Sequence, residues 1–271
     1  MSTLTSASIA EDGPCALVAV EVRDGRHIVT RVRSGPRLVP RVVARGTAVT
    51  VALTSRQAGP LAGDTDVLRI EVGPGAALAL APVAGSIALP GAAETMLRTE
   101  AVVGADGALV LDDPVLVVAE GARVRRRTVV DLAEGAVAAV REAVVLGRAA
   151  DDAGGCRLDA ELVATLAGRP LIHDALRVEP DRPHAHVALA PGHRALVTAC
   201  LLGAEVDPEG PEDPHVLRLA GPGALRRAGA AELAAAEAAC AATWMCMKAA
   251  ATPTIRLMGS SARDALHRLS S

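Results

Sequence analysis

The chain has 271 residues, 51% of them hydrophobic, enough apolar material for one large domain or two small ones. Phe and Tyr are absent and Trp244 is the single aromatic, so the ring platforms that hold single-stranded nucleic acid or carbohydrate are missing, and a formal net charge of -3 supplies no basic footprint for nucleic acid. Five scattered cysteines (Cys15, Cys156, Cys200, Cys240 and Cys246), an odd number without a CxxC pair, argue against a disulfide framework.

The N-terminal stretch MSTLTSASIAEDG has neither the basic start nor the apolar core of a secretion signal, so a cytoplasmic protein is expected. From about residue 16 to 219, short Val- and Leu-rich runs are punctuated by Gly, Pro and Asp, as in ALVAVEV, HIVTRVR, TAVTVALT and DVLRIEV. This pattern predicts a mainly β fold. Residues 71–82, EVGPGAALALAP, look at first like a nucleotide loop, but Leu78 stands where a dinucleotide fingerprint needs its third glycine. No Lys with Ser or Thr follows Gly75 either, so a phosphate loop is excluded. In RVRRRTVVDL, Val124, Arg126 and Thr128 alternate with Arg123, Arg125 and Arg127, so one face can lie on a core while the other meets water or a partner. Gly-Ala pairs begin at residues 75, 91, 107, 121 and 135. Turns at that rhythm fit a stack of paired strands, and chance recurrence in a chain rich in Ala and Gly is the alternative.

After residue 203 the Pro- and acid-rich stretch EVDPEGPEDPH reads as a linker. LRRAGAAELAAAEAACAATWMCMKAAA, residues 225–251, then predicts a helix that Gly229 interrupts and that ends before Pro253. Its Glu232, Glu237 and Lys248, in an Ala-rich rather than Leu-rich window, argue against a membrane span. The expected organisation is a β-rich body over residues 1–203 and a linker with a C-terminal helical segment over 204–271.

Candidate chemistry is sparse. His184 and His186 in PHAHVAL share a face if that segment is a strand, with His193 seven residues on, and neutral imidazoles suit nickel, copper and zinc. A surface loop after Pro180 and Pro183 is the competing reading. Asp64 and Asp66 in GDTD, with Asp112, Asp113 and Glu120, are carboxylates at strand ends, where turn chemistry explains most of them. Glu142 lies inside the apolar run AAVREAVVLG, where an isolated carboxylate is costly. With Arg141 facing the other way, its partner must come from another strand, such as the RVRRR cluster. Glu142 is then either half of a buried pair or part of a polar path. Met245, Cys246 and Met247 diverge around a helix, His173 with Asp174 reads as strand, and Ser86 lacks the pattern of a nucleophile elbow.

GPLAGDTDVLRIEVGPGAALALAPVAGS resembles the core of the urease accessory protein UreD (UreH) family, which runs from a Gly-rich turn through GD, a strand and VGPGA to a second strand. DDPVLVVAEGARVRRRTVVDLAEGAVAAVREAVVLGR is similar to that family's GAR, RxRTxVDL, Gly-Ala turn and E-x-x-x-LGR, and SGPRLVPRVV and GRPLIHDALRV resemble its early and later strands. The resemblance covers about residues 30–200. APVAGSIALPG here replaces the family's Thr-rich run with Lys and aromatics after VGPGA.

This likeness implies a stacked two-layer β-sheet, β-helix-like body with a small C-terminal helical segment, with VGPGA as a hairpin corner. It implies a scaffold rather than an enzyme, binding a UreF-like accessory protein and, through it, a UreG-like GTPase, and docking on the urease apoenzyme to support nickel insertion. Neither nucleic acid nor membrane is an expected partner, and no resident cofactor is expected, only nickel in transit. Asp64, Asp66, Glu142, His184 and His186 are the candidate nickel path. The rival reading is a β-solenoid hydrolase or lyase that uses Asp64, Asp66 or other acidic turn residues as its acid and base.

Overall fold

The computed structural model describes residues 14–149, 151, 155–179, 193–205 and 213–252. Two antiparallel hairpins open the chain: β1 (Ala16–Arg23) with β2 (Arg26–Arg33), and β3 (Leu38–Arg45) with β4 (Val49–Ser55). The chain then shuttles between two sheets through β5 (Thr65–Val72), β6 (Ala77–Pro82), β7 (Ser86–Ala88), β8 (Thr95–Val103), β9 (Ala108–Asp112), β10 (Leu116–Val118), β11 (Arg123–Leu132) and β12 (Val137–Leu146). A third hairpin, β13 (Arg157–Leu166) with β14 (Arg169–Val178), is followed by β15 (Ala195–Leu202), β16 (Val216–Arg218), β17 (Gly223–Ala230) and helix α1 (Leu233–Ala250).

One sheet has the order β14-β13-β11-β8-β5-β1-β2, and the other β16-β17-β15-β12-β9-β6-β4-β3, with β10 pairing to β12 and β7. The central pairs β5·β8, β8·β11, β4·β6, β6·β9 and β9·β12 are parallel. A parallel pair needs a crossover, and here each crossover is a passage through the opposite sheet. The result is the mainly β, stacked, solenoid-like arrangement expected from the sequence.

Strand alternation explains which residues line the space between the sheets. β5 buries Leu68, Ile70 and Val72, β6 buries Leu78 and Leu80, β9 buries Leu109 and Leu111, and β11 buries Val130 and Leu132, all in one cluster. Without rings, this core is filled by branched aliphatic side chains and Ala.

The corners between sheets repeat as well. In Gly73–Ala76, Gly104–Gly107, Ala119–Ala122 and Ala133–Ala136, the fourth N–H donates to the first carbonyl at 2.9–3.1 Å. The third residue takes a positive φ: 63° at Gly75, 56° at Asp106, 74° at Gly121 and 72° at Gly135. That geometry is a type II turn. Successive corners also stack, since the Gly75 N–H donates to the Ala105 carbonyl at 2.9 Å and the Asp106 N–H to the Glu134 carbonyl at 3.2 Å. VGPGA is therefore a corner between two sheets and not the hairpin expected above, because β5 and β6 pair with different neighbours.

The C-terminal part also differs from the helix read over residues 225–251. Residues Gly223–Ala230 form a strand paired with all of β15, and the helix begins at Leu233. Eight residues of ladder outweigh the modest helix preference of an Ala-rich run. Helix α1 buries Ala236, Cys240, Trp244 and Met247, spaced for one helical face, against the outer side of β12, β15 and β17.

Candidate functional site: a charged seam between the sheets

Some inward positions of the strands carry charge instead of carbon. Just before β3, Arg37 places its Nε 2.5 Å from Asp66 Oδ2 on β5, and its Nη1 donates to Ser86 Oγ at 3.1 Å and Ser55 Oγ at 3.4 Å. Both ionic side chains are buried. They line a cavity of about 340 Å³ whose wall also includes Thr99, Asp113 and Arg126.

Deeper in, the alternation of β11 turns Val124, Arg126 and Thr128 inward, as expected, and all three are buried. Arg126 pairs through Nη2 with Asp113 Oδ2 and lies 3.2 Å from Glu142 Oε1, while Thr128 Oγ donates to the same Glu142 oxygen at 2.6 Å. Glu142 thus has its partner on another strand, within the RVRRR cluster. Arg141 beside it faces outward to Asp112 and to Glu237 of α1, at 2.7 and 3.1 Å. Glu142 sits across from Thr198 in the β12·β15 ladder. The Arg227 Nε donates to Thr198 Oγ at 3.1 Å, and its Nη2 pairs with Asp174. A second cavity of about 20 Å³ is bordered by Glu142, Asp174, Thr198 and Arg227.

The seam therefore passes from Arg37 and Asp66, through Asp113, Arg126, Thr128 and Glu142, to Thr198, Arg227 and Asp174. It holds three guanidiniums and four carboxylates, one negative group in excess. Burial pushes the Asp113 carboxyl up to about 6, against the pull of Arg126 and with a further push from Glu142. Burial also opposes the Arg126 charge, but Glu142 and Asp113 outweigh it and hold the guanidinium above its ordinary pKa. Carboxylates and hydroxyls in such a row offer hard oxygen ligands.

Of the residues singled out in the sequence, Asp66 and Glu142 belong to this seam. Asp64 does not contribute its carboxylate in the same way: Oδ2 accepts from the Leu61 N–H at 2.8 Å and closes a turn. The neighbouring Asp64 and Asp66 thus play separate parts, one in a turn and one in a buried ion pair. His184 and His186 lie outside the described residues. His173 is exposed while Asp174 turns inward, and Met247 is buried while Met245 and Cys246 are exposed, so neither group converges. No group of three or more potential metal-binding side chains occurs among the described residues. No pattern in the sequence marks Arg37, Asp113, Asp174 and Arg227 as members of the seam. Besides Asp66 and Glu142, Arg126 and Thr128 carry a usable signal in the sequence, their alternation with exposed arginines.

Comparison with known proteins adds the context that this geometry lacks. A family described as UreD urease accessory protein matches residues 12–271. Urease accessory protein UreD 1 of Streptomyces griseus is 36% identical over 234 residues, covering 84% of this chain and 89% of its own. Urease accessory protein UreD 1 of Saccharopolyspora erythraea is 32% identical over 226 residues, covering 79% and 87%. Urease accessory protein UreD of Parafrankia sp. is 34% identical over 229 residues, covering 74% and 77%.

Proposed function

The chain belongs to the UreD urease accessory protein family, and from that membership we propose that it serves urease maturation as a scaffold whose interior seam conducts nickel toward the apoenzyme. The observation that carries this reading is the row of buried and half-buried carboxylates between the sheets, with one more negative than positive group. A buried charge is ordinarily compensated, because an unpaired charge away from water is costly. An excess retained beside a cavity suits a positively charged cargo. The ligands are oxygens, which hold nickel weakly enough for transfer rather than storage. A UreF-like accessory protein, a UreG-like GTPase and apo-urease are the partners in this proposal.

Glu142→Gln tests it. Glutamine keeps the shape and an oxygen that can still accept from Thr128 and Arg126, so the complex with the partner proteins is expected at wild-type yield. Nickel per urease active site, measured in the same preparation, is expected to fall. Full nickel loading by an intact Glu142→Gln complex would remove Glu142 from the path. Loss of the complex itself would instead make Glu142 a structural member of the core.

A further inference from the structure

The seam's surplus of negative charge is localised. Arg37 with Asp66 and Arg227 with Asp174 are matched pairs, each braced by neighbouring hydroxyls. Within the seam, among the described residues, it is at Arg126 that one guanidinium serves two carboxylates. It does so through a single nitrogen, Nη2, while Nη1 is buried without a hydrogen-bond partner. A guanidinium that grips carboxylates in a two-pronged fork is held firmly, and this one is not. It also stands at a boundary: Asp113 and Arg126 line the larger cavity, Glu142 the smaller.

We propose that Arg126 is the gate of the seam, and that a divalent cation passes from the larger cavity to the smaller one by taking the place of its guanidinium between Asp113 and Glu142. The proposal rests on the reading of the seam as a nickel route. At rest, the fixed positive charge of Arg126 repels an approaching cation over a few ångströms in a poorly screened interior. Once displaced, the guanidinium has room in the 340 Å³ cavity, where Asp66, Ser86 and Thr99 offer acceptors. The exchange selects for valence. A dication between two carboxylates leaves no net charge, whereas a monovalent ion leaves the same single negative charge as Arg126 while losing its hydrogen bonds. Potassium and sodium are therefore excluded by the cluster that admits nickel.

The test is equilibrium binding of Ni²⁺ to the purified full chain, in wild type and three variants. Arg126→Gln removes the competing charge but keeps an amide donor, and is expected to bind Ni²⁺ at least tenfold more tightly, without competition from excess K⁺. Asp113→Asn leaves Arg126 matched one to one with Glu142, so nickel no longer gains by displacing it, and binding is expected to weaken at least tenfold. This second variant keeps the idea testable if Arg126→Gln fails to fold, since it relieves a buried charge. Glu142→Gln added to Arg126→Gln is expected to abolish the gain. Binding by Arg126→Gln no tighter than wild type, or an unaltered affinity in Asp113→Asn, overturns the gate while leaving the route standing. If folded wild type and variants all fail to bind millimolar Ni²⁺, the route itself is wrong, and the gate falls with it.

Discussion

Asp113 is a carboxyl group that the fold holds against its preference. Burial places its pKa at about 6, above the ordinary 3.8, so between those values the native state binds a proton that the unfolded chain does not. Stability from this group is fully present below about pH 4 and is lost as pH rises through about 6, since folding then requires burying the charged form. The cost at neutral pH is about 3 kcal/mol from a shift of roughly two units. Asn at this position has no proton to lose. The stability of Asp113→Asn relative to wild type should therefore rise between pH 4 and 7 by up to about 3 kcal/mol, read from denaturant unfolding at a series of pH values. A difference that stays flat with pH would show that Asp113 is solvated like an ordinary surface carboxylate. The same residue marks the limit of sequence reading. Glu142 was visible because it interrupts an apolar run, and Arg126 because it alternates with exposed arginines. Asp113 stands in LDDPV, where an Asp before Pro signals a turn, and only the outward commitment of Asp112 to Arg141 turns its neighbour inward.

Among the elements, the corner turns set the spacing of the two sheets and thereby the width of the seam. Gly75 has φ of 63°, and a Cβ added there would meet nothing within 4 Å. Any penalty for a side chain is therefore backbone strain alone, uncontaminated by a clash. Gly75→Val is expected to cost roughly 1–3 kcal/mol and to lower the melting temperature, whereas Gly75→Asn should cost less, because Asn tolerates the left-handed region and Asp106 already occupies it at the next corner. Equal melting temperatures for wild type and Gly75→Val would mean that the corner can relax. The Gly-Ala rhythm pointed at these corners, but imperfectly. Gly107 follows the positive-φ residue instead of supplying it, and Gly91 has no positive φ. What the rhythm cannot reveal is which sheet each strand joins, for that depends on lateral pairing between residues some thirty positions apart. The same limit produced the helix reading over β17, where an Ala-rich segment is recruited by the free edge of β15.

For the molecule as a whole, the outer surfaces decide its behaviour in solution. The described residues leave large apolar side chains in water, among them Val43, Leu61, Val83, Leu217 and Met245, each more than half exposed. None of the described helices is long and apolar enough to cross a membrane, so a lipid-spanning helix is not the reason for this exposure. A scaffold that functions in an assembly would cover such side chains with its partners, and anything that binds the native state alone stabilises it by mass action, by about 2.7 kcal/mol at a hundredfold excess over Kd. Co-expression with a UreF-like accessory protein is accordingly expected to raise soluble recovery and to shift the chain into a larger species on gel filtration. The gain should be a property of the native surface. Glu142→Gln, which alters only the interior, should keep it in full. Equal recovery with and without the partner, and a monomer in both preparations, would show that the exposed side chains are merely tolerated and that this protein does not work as a UreF-dependent scaffold.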